Sequence, residues 1–190
     1  SSTGDGVDFG DLSGGYNECS SVSDSTRGVI YSGYPGTQNI IDYITMASAG
    51  NAQDFGDKTN STVGAGTMQS PTRGVYSSGE TNASPYVVVN SMVYLTIATQ
   101  GNTADFGDAQ RAVRYPAAGS NAVRGVQCLG GAPNTYTNQI EYITMATLGD
   151  AQDFGDLTLS NLSTGGGGMT SPTRAVFAVS SETNVDYIQI

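Results

Sequence analysis

Apolar and polar residues alternate along much of this chain. Tyr43, Thr45 and Ala47 alternate with Ile44 and Met46, the period of two of a pleated strand. Such segments are rich in β-branched and aromatic residues. Gly, Asn, Ser and Pro bound them. No stretch combines a helical period with caps, so the pattern predicts an all-β chain.

The pattern also repeats. Asp-Phe-Gly-Asp occurs four times, at Asp8-Phe9-Gly10-Asp11, Asp54-Phe55-Gly56-Asp57, Asp105-Phe106-Gly107-Asp108 and Asp153-Phe154-Gly155-Asp156. The phenylalanines are 46, 51 and 48 residues apart. Each is followed, after 18, 18, 18 and 20 residues, by an arginine: Arg27, Arg73, Arg124 and Arg174. A third motif reads Ile41-Asp42-Tyr43-Ile44-Thr45-Met46-Ala47. It returns at Val93–Ala98 and Glu141–Ala146, and in shortened form at Val185-Asp186-Tyr187-Ile188-Gln189-Ile190. A fixed order of three motifs at this period marks a repeat architecture.

Each unit reads as four strands. A small-residue strand comes first, near Gly64–Met68 or Gly165–Met169. A turn follows at Ser70-Pro71-Thr72 or Ser171-Pro172-Thr173. The Arg-Gly-Val, Tyr-Ile-Thr and Asp-Phe-Gly-Asp strands complete the unit. Four strands in about 48 residues match a propeller blade. The glycines of the first strand suit a crowded axis. Residues 1–190 are therefore expected to form one domain with units near 13–59, 60–109 and 110–158. The last unit joins 159–190 with 1–12. The fourth Tyr-Ile strand (Val185, Tyr187, Ile188, Ile190) and the first Asp-Phe-Gly-Asp strand are complementary pieces of one blade. They could pair within the chain, closing a four-bladed propeller-like ring, or between chains, giving a head-to-tail filament. Closure within the chain is the expectation, because it carries no concentration penalty.

Composition narrows the chemistry. The 190 residues hold no His or Trp, 26 Gly, seven basic and 17 acidic residues, for a net charge of −10. A His-dependent triad or His-ligated metal site is excluded. Seven basic residues make a poor nucleic-acid binder. No run approaches the ~20 apolar residues of a membrane helix. Neither a nucleic-acid partner nor a membrane is expected. No cofactor is implied.

The remaining candidates are mostly repeat elements. Asp54 and Asp57, with Asn51 nearby, form an oxygen-rich group that could hold Ca²⁺. Pairing of these acids with the motif arginine of each unit ranks above metal binding. The motif phenylalanines read as wedges between units. Glu18, Glu80, Glu141 and Glu182 do not recur as a set, so a paired-carboxylate hydrolase is not expected. Tyr34, Tyr86, Tyr115 and Tyr136, with Asn39, Asn82, Asn134 and Asn138, could bind sugar from loops. Asn60, Asn82 and Asn161 begin glycosylation sequons. Cys19 and Cys128 occupy different places in different units, and buried free thiols are expected.

The unit resembles a repeat family of phage and prophage structural proteins and of uncultured aquatic viral sequences. Its idealised form runs Ile-Asp-Tyr-Ile-Thr-Ile-Ala, Gly-Asn-Ala-x-Asp-Phe-Gly-Asp-Leu and Ser-x-Thr-Arg-Gly-Val-Phe-Gly-Gly. Here Ile41–Ala47, Gly50–Asp57 and Ser70–Val75 carry that order. Gly130-Gly131 after the third Arg-Gly-Val is also kelch-like. The glycine pair is missing after Tyr76 and after Phe177. The resemblance implies a fibre, appendage or virion-surface protein without enzymatic activity. The expectation is a self-assembling extracellular filament subunit, a homo-oligomer of helical type. A carbohydrate-binding or adhesion module using loops on one face is the alternative, with glycans as its partners.

Overall fold

A computed structural model describes residues 4–34, 38–81, 84–128, 130–131, 137–158, 167–178 and 183–190. Among these the chain is all-β, with sixteen strands. The first sheet comprises β1 (Ser20–Ser23), β2 (Arg27–Tyr31), β3 (Ile40–Thr45) and β4 (Gln53–Asp57). The second comprises β5 (Thr62–Val63), β6 (Gly66–Gln69), β7 (Arg73–Thr81), β8 (Val88–Thr96) and β9 (Ala104–Asp108). The third comprises β10 (Ala117–Ser120), β11 (Arg124–Cys128), β12 (Gln139–Thr144) and β13 (Gln152–Asp156). The fourth comprises β14 (Gly167–Thr170), β15 (Arg174–Ala178) and β16 (Val185–Gln189). All are antiparallel, and sequence neighbours pair, except that β5 and β6 both pair with β7.

One polar residue shapes each first hairpin. Asp24, Ser70, Asn121 and Ser171 accept from the backbone N–H of the motif arginine three residues on. Such short side chains turn the backbone by replacing one of its own acceptors. The last strand carries a bulge. Ile41 faces Gly56 while Asp42 faces Asp54, so Phe55 is the extra residue. The same shift places Phe106 and Phe154 in bulges on β9 and β13. Gly56, Gly107 and Gly155 follow with φ of 147°, 138° and 137°, a region that L side chains rarely adopt.

The second sheet is larger than the repeat implies. Where the glycine pair is missing, the register shifts between Ser77 and Gly79, Ser78 at φ 64° standing opposite both Asn90 and Ser91 of β8. The strand then runs on to Thr81 and pairs with the short β5.

The cores lie between neighbouring sheets. Tyr31, Ile41 and Phe55 meet Tyr76, Val93 and Leu95 between the first two. Met68, Val75 and Phe106 meet Ile143 and Met145 between the next two. Val126, Ile140 and Leu157 meet Ala175 and Phe177 between the last two. First strands lie side by side, β1 against β6, β6 against β10 and β10 against β14.

The ring does not close. Among the described residues, β16 pairs only with β15, and residues 8–11 are in no sheet. Instead, Gly50 and Ala52 donate to the carbonyls of Phe9 and Asp11, at 2.7 and 2.8 Å. These bonds hold residues 8–11 against the first sheet, where the last strand of a preceding sheet would lie. The sheets form an open row, with β16 in its last member.

Candidate functional site

The feature that recurs is the joint between successive sheets. Its backbone part is constant. Gly101 and Thr103 donate to the carbonyls of Phe55 and Asp57, and Gly149 and Ala151 to those of Phe106 and Asp108, at 2.8–3.0 Å. Asn51, Asn102 and Asp150 accept from the N–H of Asp11, Asp57 and Asp108. The turn after each third strand thus grips the last strand of the sheet before it. Glycine is required there: a Cβ on Gly56 would lie 2.5 Å from the Gly101 carbonyl.

The side-chain part is a three-layer group. The guanidinium carbon of Arg27 lies 4.5 Å over the Tyr43 ring, and Phe55 meets that ring edge-on at 6.0 Å. Arg73 with Tyr94 and Phe106, and Arg124 with Tyr142 and Phe154, repeat this arrangement. A cation above an aromatic face is attracted by the ring's quadrupole. Arg27 also donates to the carbonyl of Ile97, and Arg73 to that of Met145, each in the next repeat.

A third element is an acidic clamp. Asp42 accepts from Ser13 N–H and Oγ, Glu141 from Gln110 N–H, and Asp186 from Thr158 N–H and Oγ1. In each case the residue two places beyond the Asp-Phe-Gly-Asp motif is tied to the third strand of the following sheet. Gln127 also donates to Glu141, which is buried. A fourth element is a knob over a glycine. Val22 packs on Gly74, and Met68 on Gly125.

This geometry corrects several expectations. The motif aspartates do not pair with the motif arginines, because the arginines lie on aromatic rings and reach carbonyls. The first aspartate instead accepts from the glycine two residues on, as Asp8, Asp54 and Asp153 do. The ion pair among the described residues joins Arg114 to Glu80 at 2.6 Å. Those residues contain no group of three potential acidic or thiol metal ligands. Asn51, grouped by sequence with Asp54 and Asp57, is engaged with Asp11.

Other candidates are dispersed. Asn60 is partly buried, accepts from Tyr31 Oη and donates to Ser91 Oγ, so its amide serves the fold. Asn82 and Asn161 lie outside the described residues, as do Tyr136, Asn134 and Glu182. Tyr34 and Tyr86 are exposed, whereas Tyr115 donates to Glu18 at 2.7 Å. Burial and that carboxylate push the Tyr115 phenol up to about 12. Cys128 is buried and its thiol is pushed up by burial. Cys19 is exposed, contrary to expectation, because it precedes β1 at the rim of a cleft that Tyr115 and Gly167 also line.

The sequence gives no joint role to Asn51, Asn102 and Asp150, nor to the acids Asp42, Glu141 and Asp186. The former had a signal, a Gly-Asn or Gly-Asp pair just ahead of each motif. No protein-family model matches the sequence, and no curated protein matches it.

Proposed function

We propose that this chain is a structural subunit that adds copies of itself end to end along its row of sheets. It would build an extracellular filament or phage-type fibre without enzymatic activity. One observation carries the reading: the first and the fourth described sheets present unlike faces, each with exposed apolar residues, among them Phe9, Met169 and Tyr187 at positions that are joint elements elsewhere in the chain. At one end Val7, Phe9 and Met46 are 91%, 37% and 50% exposed. At the other Met169, Val185 and Tyr187 are 60%, 59% and 61% exposed. Clustered apolar exposure marks interaction surfaces. Two unlike, complementary faces give a head-to-tail contact that propagates. The resemblance of the repeat to phage structural proteins supports a place on a virion or cell exterior. Electron microscopy of the purified chain tests the reading. Filaments with a regular axial repeat support it, and monodisperse single particles at high concentration refute it.

A further inference from the structure

We propose that the cleft beside Glu18 and Tyr115 is a binding site for a neutral sugar ring, a function separate from the end-to-end contacts.

Glu18, Gly64 and Tyr115 hold the same place in three repeats, two residues ahead of β1, β6 and β10. Their φ angles are 58°, 62° and 53°. Glycine alone enters this left-handed region without a steric penalty. The second repeat uses glycine. The first and third carry glutamate and tyrosine there, on backbone that opposes them. Strain of this kind collects where a particular side chain serves a site.

The two side chains meet. Tyr115 Oη donates to Glu18 Oε2 at 2.7 Å, although the residues are 97 apart in sequence. Gly64 makes room for the ring, since a Cβ there would lie 2.6 Å from a Tyr115 ring carbon. Tyr115 N–H also donates to the Gly64 carbonyl at 2.7 Å. Three equivalent positions thus build one feature, a carboxylate, a glycine seat and an aromatic ring. Fastening the first sheet to the third is a weak reason for two strained residues, because an exposed hydrogen bond adds little net stability.

The cleft has a volume of about 460 Å³ and is lined by Glu18, Cys19, Gly64, Ala65, Tyr115 and Pro116 among others. Small-molecule sites span ~300–1,000 Å³. Tyr115 is half-buried, so part of its ring faces the cleft. The partly positive C–H groups of a pyranose pack on the negative face of such a ring. Glu18 is exposed and accepts from Tyr115 at one oxygen. A carboxylate has further lone pairs, which suit sugar hydroxyls. Arg114, next to Tyr115, is held by Glu80 at 2.6 Å with its side chain 43% exposed, and offers donors nearby. Charges of both signs surround the cleft. Glu18 and Glu80 push the Tyr115 phenol up and Arg114 pulls it down, while Lys58 lies within electrostatic reach of Cys19. Acids and bases offset one another, so a neutral, hydroxyl-rich ring fits better than an ion.

Cys19 supplies the test. It is exposed in the cleft and Cys128 is buried, so iodoacetamide should label the native chain at Cys19. The probes are methyl glycosides of glucose, galactose, mannose and N-acetylglucosamine, with n-butylamine as a cationic control. At least one glycoside should slow labelling, by roughly tenfold at a concentration of about ten times its Kd. E18G and Y115G should each abolish that protection. Both install the residue that the second repeat already uses, so the backbone is relieved of strain and the variants should fold. Thermal unfolding checks this, and should one variant fail to fold, the other decides. Labelling that none of the glycosides slows overturns the site. Protection that persists in a folded variant places the sugar elsewhere and also overturns it. Protection by n-butylamine alone overturns the sugar in favour of a cation.

Discussion

Arg73 lies 4.6 Å above the ring of Tyr94, and it spans two sheets by donating to the Met145 carbonyl at 2.8 Å. One side chain thus ties a sheet internally and to its neighbour. Removing it with R73A should lower stability by about 2–4 kcal/mol, from a cation–π contact and a charge-assisted hydrogen bond. R174A should cost the isolated chain less, because among the described residues its guanidinium rests on Tyr187 alone. Urea unfolding of both variants makes the comparison.

Glycine in the fourth-strand bulge should be costly to replace only where a neighbour grips it. G56A adds a Cβ 2.5 Å from the Gly101 carbonyl and should destabilise by roughly 3 kcal/mol or more, combining backbone strain with overpacking. G155A has a similar φ but open space, and should cost about 1 kcal/mol of strain. Equal losses at the two positions, measured by thermal or urea unfolding, would remove the grip as the cause.

The motif phenylalanines should separate in the same way. Phe106 is buried between two sheets, and F106A should cost about 3–5 kcal/mol. Phe9 is 37% exposed, and F9A should leave the unfolding of isolated chains within about 1 kcal/mol. Its effect should appear in assembly, read by sedimentation or light scattering.

Lys58 gives a pH signature. It lies 4.5 Å over the Tyr31 ring and donates to the carbonyls of Ser32 and Thr62. Burial lowers its pKa from 10.5 to about 8. Between those values the unfolded chain holds a proton that the folded chain has released, so the lysine's contribution to stability rises with pH. Relative to K58M, the parent chain should therefore gain stability from about pH 8 to 10.5, by roughly 1–3 kcal/mol after allowance for solvent screening. Burial raises the pKa values of Cys128, Tyr31 and Tyr76, so ionisation of their unfolded forms acts in the opposite direction. That contribution is common to both chains, and the difference between their urea midpoints isolates the lysine. A flat difference across this window would show that folding leaves the lysine's affinity for protons unchanged.

Much of the strand order was legible because each element has a local cause. Ser70 and Asn121 turn the backbone beside the motif arginines, and alternation marks β3 and β12. The joint was less legible. Asp42 and Ser13 are 29 residues apart, and Arg73 and Met145 are 72 apart. No local pattern announces a bond to a backbone carbonyl, because every residue has one. Charge alone pairs the arginines with the motif aspartates. The structure instead gives them aromatic faces, on which a planar guanidinium can lie while its edge donates elsewhere.

By itself, then, the sequence determined an all-β chain of repeated hairpins, since period, turn residues and bulge glycines act within a few residues of one another. Tertiary structure decided that the sheets form an open row. Residues 8–11 bond to Gly50 and Ala52 of the first sheet as β4 bonds to the second, yet among the described residues they do not reach β16, which pairs with β15 alone. A repeat specifies the contact from one unit to the next. Whether successive contacts return to their starting point depends on the angle between sheets, which is set by packing across the joint.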